Sequence, residues 1–404
     1  METLYETTIR PLAPLVEWWA TGGVRAGERF GVASAERPDA RLIWLHAASA
    51  GEVVAAGALA LGLREQGWRE AILLTTFTEA GAAAAARAPG DTIQQLLPYD
   101  QPRWVDRFLD SWRPDLGVLL ISEVWPVLLA RAERRGIPMA LVSAGLSDRS
   151  LTAWAAARWL GLRPLRGLAA VQAADEDRAA ALSPFLSCAV EVGGDLKGSA
   201  DSPVVDAELV SRLRGMGRHV LGACTHPGED EVVLAAAKRA GVRCVLAPRH
   251  PERGAAVAAL AARRLGGPVG RRSERPPSPD DRAYVIDTFG ELGSAYAAAD
   301  VAFVGGSVTR RGGHSPAEGA ACGCALVIGP DSRSNAATTR ELLAAGGLVQ
   351  TKDVEAALVS LLADPQQRAE LGEAARATAA GWQQRRRDTA NWLERLVPSG
   401  FAPD

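Results

Sequence analysis

Residues 300–335 read DVAFVGGSVTRRGGHSPAEGAACGCALVIGPDSRSN. The apolar run 301–304 predicts a buried strand. Behind it, Gly305, Gly306, Gly312 and Gly313 permit positive φ and let backbone approach a ligand closely. Ser315 then reads as a cap and Pro316 as the first residue of a small-residue helix, whose free N–H groups would form an anion site. Ser307 and His314 lie in the loop. Glu318, one turn into the helix, could reach sugar hydroxyls beside a phosphate, and Gly329, Pro330 and Asn335 follow the next strand. A lone Gly-rich turn is common in α/β proteins. The succession GGS, GGHSPAE and GPDSRSN within one unit points to a nucleotide-sugar site.

Other reactive residue types also follow apolar runs. In His46-Ala-Ala-Ser49-Ala-Gly51-Glu52, small residues turn the chain and Glu52 enters a helix, where it could take a proton from a sugar hydroxyl or only complement the helix N-terminus. Ile121-Ser-Glu123-Val-Trp125-Pro126 offers a carboxylate and an aromatic face to a carbohydrate or headgroup, unless Trp125 merely packs the next helix. Thr75, Thr76 and Thr78 supply three hydroxyls for acceptor contacts or for turn chemistry. In the second half, Thr225-His226-Pro-Gly-Glu229 opens a new α/β unit. Arg249, directly after a strand and beside His250, could bind phosphate or carboxylate in bidentate fashion; Arg253 reads as a surface ion pair and His250 alternatively as a cap. Thr288, Gly290 and Glu291 could bracket a base or phosphate. Only three of the 45 basic residues are lysines, so Lys197, near a Gly/Ser/Pro-rich stretch, stands out as an anion ligand. No H-x-x-x-H, DxD, Walker loop or G-x-S-x-G is present, so a metal site and a hydrolase triad are not expected.

These residues need a frame. The chain has 404 residues, 48% of them hydrophobic and 23% charged, enough for two globular domains. A net charge of −2 argues against a nucleic-acid partner. Five cysteines without C-x-x-C fit reduced thiols. No run reaches the ~18 apolar residues that span a bilayer. Residues 4–20, ending in Trp18-Trp19, form an amphipathic segment that suits either a membrane interface or packing on the domain. Short apolar runs alternate with helical patterns, which predicts parallel α/β architecture. Strands are expected at 42–45, 71–75, 116–120, 139–143 and 168–172, then at 219–223, 243–247, 283–287, 301–304 and 325–328. The expected division is an N-terminal segment 1–32, a domain 33–195, a linker near 193–203, a domain 196–375 and a C-terminal helix 376–404.

Taken in order, the motifs resemble the 3-deoxy-D-manno-octulosonic acid (Kdo) transferases of lipopolysaccharide synthesis. The match runs from about Arg29 to about residue 350. It includes His46, Ser49, Gly51 and Glu52; Thr75, Thr76 and Thr78; Asp100; Glu123, Trp125 and Pro126; Ser147 and Arg149; Lys197; Thr225, His226 and Glu229; Arg249, His250 and Arg253; Gly290 and Glu291; and the 305–335 loop and its sequel. The resemblance implies a GT-B α/β fold, two facing Rossmann-like doubly wound domains with a cleft between them. It implies inverting transfer of Kdo from CMP-Kdo to a lipid A precursor at the cytoplasmic face of a bacterial inner membrane, with no cofactor and no metal. Glu52 would be the base. His46, Ser49, Thr75, Thr76, Thr78, Glu123, Trp125, Ser147 and Arg149 would bind the acceptor. Lys197, Thr225, His226, Arg249, His250, Thr288, Gly290, Glu291, Gly305, Gly306, Ser307, Gly313, His314, Glu318 and Asn335 would bind the donor, the cations and the 305–316 loop offsetting charge on the leaving phosphate and Glu318 holding the ribose.

This chain departs from the family pattern mainly in the first half. Ile121 and Val127 replace the first Glu and the Asn of E-x-E-x-W-P-N, and Ser143 and Gly145 replace the Asn and Arg of N-A-R-L-S. GGHSP stands for GGHNP. The expectation is an ordinary donor half and an altered acceptor. Two competing readings are a UDP-sugar enzyme of the same fold, including an epimerase, and a catalytically silent relative acting as a binding module.

Overall fold

The structure is a computed structural model and describes residues 25–121, 124–145, 152, 155, 165–199 and 203–397. It forms two compact units, residues 1–200 with 383–404, and residues 201–382.

Unit 1 is built on a seven-stranded parallel sheet: β1 (Leu42–His46), β2 (Ala71–Thr76), β3 (Ile93–Leu96), β4 (Leu116–Leu120), β5 (Met139–Ala144), β6 (Leu168–Ala173) and β7 (Val190–Val192), in the order β3-β2-β1-β4-β5-β6-β7. The strands are nearly continuous apolar runs because helices cover both faces. The pleat sorts them. Leu42 and Trp44 enter one buried cluster with Phe108 and Trp112, while Ile43 and Leu45 enter another with Val53 and Leu59. That second cluster also takes Ala390, Trp392, Leu393 and Val397 from the chain end.

Unit 2 repeats the plan with β8 (His219–Thr225), β9 (Arg243–Pro248), β10 (Val269–Arg271), β11 (Ala283–Val285), β12 (Val301–Val304), β13 (Leu326–Ile328) and β14 (Val349–Gln350), in the order β10-β11-β9-β8-β12-β13-β14. In each sheet the chain starts near the middle, winds to one edge, then crosses back to the other side. The reversal falls between β1 and β4 in unit 1 and between β8 and β12 in unit 2. Ligands of open α/β sheets bind outside the strand C-termini at such reversal points. Three non-glycine residues at strand C-terminal ends have left-handed backbone: Ile121 (φ 67°), Ser143 (φ 52°) and Cys224 (φ 53°). A β-branched residue there is strained.

All ten expected strands form. The four without an expectation, β3, β7, β10 and β14, are two to four residues long, lie at or next to sheet edges and include polar residues. The two units divide between Ala200 and Asp201, inside the 193–203 stretch, whose first part packs on unit 1. Leu196 is fully buried in the unit 1 core, its N–H donates to Ser143 Oγ (3.1 Å), and Gly193 and Gly194 N–H both donate to Ala173 O. The terminal helix begins earlier than the expected 376, as a 30-residue element from Pro365 to Glu394 that contributes to both units. Among the described residues no helix is long and apolar enough to cross a membrane. The amphipathic segment 4–20 lies outside them.

Candidate active-site elements

In unit 1 the reactive residues gather where β1 and β2 end. His46 closes β1 and is fully buried. Its Nδ1 lies 2.9 Å from Thr75 Oγ1, which also accepts Trp44 Nε1–H at 2.8 Å. Burial pushes the His46 pKa down to about 3, so its ring is neutral. Buried His46 Nε2, Thr76 Oγ1 and Trp125 Nε1 meet no hydrogen-bond partner among the described residues. Buried polar groups are ordinarily satisfied, so these three atoms can take a water or ligand partner.

Three residues on, Ser49 caps the helix Ala50–Glu65 and Glu52 reaches back in a capping box. Glu52 Oε2 accepts Ala48 N–H at 2.7 Å and Ser49 N–H at 3.4 Å, and the residue is 8% exposed. The bonds that complement the helix N-terminus also fix the Glu52 carboxylate in place. The turn is locked from β2, because Ala48 O accepts from Phe77 N–H, Thr78 N–H and Thr78 Oγ1–H. Thr78 in turn caps the helix Glu79–Ala85, accepting from Gly81 N–H at 3.0 Å. Thr78 thus does the turn chemistry the sequence allowed, while the Thr75 hydroxyl bonds His46 and Trp44 across the sheet.

Trp125 stands at the cap of the helix Pro126–Arg134, with its ring centroid 4.8 Å from Phe77 and 6.3 Å, edge-on, from His46. Asp100 holds this helix start, accepting Val127 N–H (3.1 Å) and Leu128 N–H (2.9 Å). Arg29 was not expected as a site residue. Its guanidinium lies over Phe77 (4.6 Å) and Tyr99 (5.6 Å) and donates to the Phe77 and Leu97 carbonyls. An isolated Arg ahead of the first strand gives no spacing signal. Glu123, Ser147 and Arg149, and the side chain of Lys197, lie outside the described residues.

In unit 2 the centre is Glu229, fully buried at the start of the helix Glu229–Ala240. Its Oε2 accepts Gly306 N–H (2.8 Å) and His226 N–H (2.9 Å). Its Oε1 accepts Val308 N–H (3.1 Å), Thr309 N–H (3.3 Å) and Thr309 Oγ1–H (3.2 Å). One carboxylate thus folds the loop behind β12 onto the loop behind β8. The resemblance carried Glu229 as a motif residue without a binding role; only the fold reveals it as the hub.

Gly305 is required for space rather than for φ, since a Cβ there would lie 2.4 Å from Cys224 O and 2.8 Å from Glu229 Oε2. Gly306, Gly312 and Gly313 do take positive φ. The loop is not an open cradle of donors. The N–H groups of Gly305, Gly306, Val308, Thr309, Arg311, Gly312, Gly313 and His314 all bond within the protein, to Ala223 O, Glu229, Gly306 O, Asp331 and Gly305 O. Ser307 is buried, donating to Val304 O and accepting from Gly329 N–H. Asn335 Nδ2–H donates to Gly313 O at 2.8 Å. The expected phosphate helix starts one residue later than the sequence suggested. It runs only Ala317–Ala321, with Pro316 at the cap position and Ser315 Oγ accepting Ala317 N–H. Glu318, on that helix, has its pKa raised by burial.

Thr225 is fully buried and donates to Asp230 (2.5 Å), whose other oxygen pairs with Arg253. The Thr225 hydroxyl is thus structural. Arg253 is not a surface pair, because Asp230 is 1% exposed. Thr288 Oγ1–H donates to Glu291, which also pairs with Arg272 at 2.5 Å, and the intervening Gly290 takes φ 89°. Arg249 and Arg311 are exposed, with no side-chain hydrogen bond or ion pair among the described residues. His226 Nε2 and His314 Nε2 are 2.9 Å apart, and His250 lies edge-on to His226 at 5.8 Å. Among the described residues no three His, Cys, Asp or Glu side chains are grouped to hold a metal ion.

A family model described as 3-deoxy-D-manno-octulosonic-acid transferase (kdotransferase) matches residues 24–200. The 3-deoxy-D-manno-octulosonic acid transferase of Bordetella pertussis is 37% identical over 425 residues, spanning 97% of this chain and 98% of its own length. That of Haemophilus influenzae is 29% identical, spanning 87% and 86%. Two solved structures share the fold. MurG of Acinetobacter baumannii has TM-score 0.53 and 16% identity, over 88% of this chain and 99% of its own. The UDP-GlcNAc 2-epimerase from Neisseria meningitidis bound to UDP-GlcNAc has TM-score 0.53 and 12% identity, over 88% and 100%.

Proposed function

The chain belongs to the Kdo transferase family, GT-B-like glycosyltransferases that move Kdo from CMP-Kdo in lipopolysaccharide core biosynthesis, and we propose that it transfers Kdo with inversion to a lipid A precursor, Glu52 acting as general base. The observation that carries this is the placement of Glu52. It sits at the reversal point of the first sheet, nearly buried, with one carboxylate oxygen held by two backbone N–H groups. Its proton acceptance would turn the acceptor hydroxyl into a nucleophile toward the anomeric carbon. As that bond forms, the bond from the anomeric carbon to the phosphate oxygen breaks through an oxocarbenium-like transition state and CMP leaves.

In unit 1, His46 and Trp125 would contact the acceptor, with the unpartnered His46 Nε2, Thr76 Oγ1 and Trp125 Nε1 as polar handles. In unit 2, Arg249, His226, His314 and His250 would offset the charge on the leaving phosphate, and Glu318 would hold the ribose. The protein would work as a peripheral enzyme on a lipid at the cytoplasmic membrane face.

The altered residues favour a modified acceptor as a second reading. Ile121 and Ser143, where the family carries Glu and Asn, are two of the left-handed strand ends, and Gly145, where it carries Arg, has ordinary room for a side chain. The test follows CMP release from CMP-Kdo, with and without a lipid A precursor. Acceptor-dependent release that disappears in Glu52→Ala supports the transfer and its base. CMP-Kdo binding without acceptor-dependent release would direct the search to other acceptors. Kinetics on the standard precursor equal to those of the Bordetella relative would remove the modified-acceptor reading.

A further inference from the structure

The His226 and His314 rings are inclined by only 12°, with centroids 5.1 Å apart and Nε2 atoms 2.9 Å apart. The centroid separation exceeds the N–N distance by roughly one ring radius at each end, so the rings lie edge to edge and do not overlap face to face. That is a direct Nε2–H···Nε2 hydrogen bond. It requires opposite tautomers, one ring donating from Nε2 and the other accepting there. Such a pair binds one additional proton at the free Nδ1 of the donating ring, which turns the Nε2–H···Nε2 contact into a charge-assisted bond, and it resists a second, because two imidazolium rings at this distance repel.

The surroundings give that proton a use. Eight amides of the glycine loop are engaged inside the protein, so compensation for an anion falls largely to side chains. The charged and titratable groups facing the pair are Glu229 from the helix behind β8, Arg249, His250 and Arg253 from the segment behind β9, and Arg311 from the glycine loop. Glu229 is bonded by five donors and Arg253 by Asp230. Burial leads the shift of both rings downward, His314 to about 4, so the pair is neutral without ligand near pH 7.

We propose that His226 and His314 form a one-proton imidazole pair that takes up a proton from solvent as the phosphate of a cytidine nucleotide binds. This rests on unit 2 being the donor half, as read above. The proton converts a neutral pair into a cation when the anion arrives, and its release follows departure of the nucleotide.

Calorimetric titration of the whole protein with CMP at pH 7, where a phosphate monoester with second pKa about 6 is already mostly dianionic, measures it directly. Run in two buffers of different ionisation enthalpy, the titration should show uptake of about half a proton or more per CMP. His226→Asn and His314→Asn should each bind CMP more weakly and lose the uptake, whereas His250→Asn should keep it. If the variants fail to fold, nitrogen-15 side-chain spectra of the unaltered protein decide: of five histidines, one coupled pair should gain a proton with CMP. CMP binding without uptake, or uptake persisting in both variants, would overturn the proposal and leave the donor assignment standing. Absence of CMP binding would instead overturn the donor assignment, and this inference with it.

Discussion

Each sheet of this molecule carries a buried glutamate at the start of the helix behind its first strand, each bonded to its own turn, and one of them also holds a distant loop. The backbone N–H groups given to Glu52 come from its own turn, three and four residues back, and meet on Oε2. Glu229 adds to its local bond from His226 N–H donors from a loop 77 to 80 residues away and uses both oxygens. One arrangement orients a carboxylate with local bonds; the other consumes a carboxylate to hold a distant loop. Burial, sequence neighbourhood and helix position alone therefore do not assign a carboxylate its task.

The largest expected effect tests that distinction through activity. Glu52→Gln keeps a capping side chain and should lower acceptor-dependent CMP release by about 10²–10⁴-fold, the usual contribution of a positioned base, with the melting temperature nearly unchanged. Near-normal turnover in this variant would sink the assignment of the base. Glu229→Ala should do the reverse, stranding a set of buried donors and costing about 3 kcal/mol or more of stability in urea unfolding. If Glu229→Ala were as stable as the unaltered protein, the loop would have another anchor and the contrast would fail.

A smaller effect concerns His46. Unfolded histidine binds its proton near pH 6.5, and buried His46 only near 3. Between those values the unfolded state holds more protons, so stability rises with pH there, levels off above about 6.5, and is lost as pH falls. The contribution is at most ~1.4 kcal/mol per pH unit. Removing it in His46→Asn should flatten the stability–pH slope between pH 4 and 6; an unchanged slope would show that other groups set it. The smallest effect is at Ile121. Asn tolerates φ 67° better than a β-branched residue, so Ile121→Asn should alter stability by less than about 1 kcal/mol despite the lost apolar contact. A loss of several kcal/mol would mean that packing, not backbone strain, dominates that strand end.

Much of the frame was legible because a doubly covered parallel strand must be apolar along its whole length, as Leu42–Leu45 and Val301–Val304 are. Edge strands such as Val349–Gln350 carry no such pattern, since one side lacks a neighbour. The site was legible as motif residues but not as roles. Thr225, Ser307 and Asn335 appeared as ligand contacts, and each is bonded inward. The sequence shows which hydroxyls stand at strand ends; only the packing shows which way each is bonded. The extent of the last helix was missed because its apolar residues serve two cores in succession, Ala375, Ala379 and Trp382 in one and Ala390, Trp392 and Leu393 in another, which blurs a single periodicity.

That helix has a consequence for how the protein is made. The core of the first unit includes Trp392, Leu393 and Val397, and Trp392 Nε1–H donates to Glu191. A ribosome that has finished the first 200 residues has therefore not finished that unit. The second unit, whose residues end at 382, is fully synthesised before the first receives its last core residues. The usual order of domain completion, N-terminal first, is reversed here. Truncation ahead of Trp392 should damage the part of the protein made earliest.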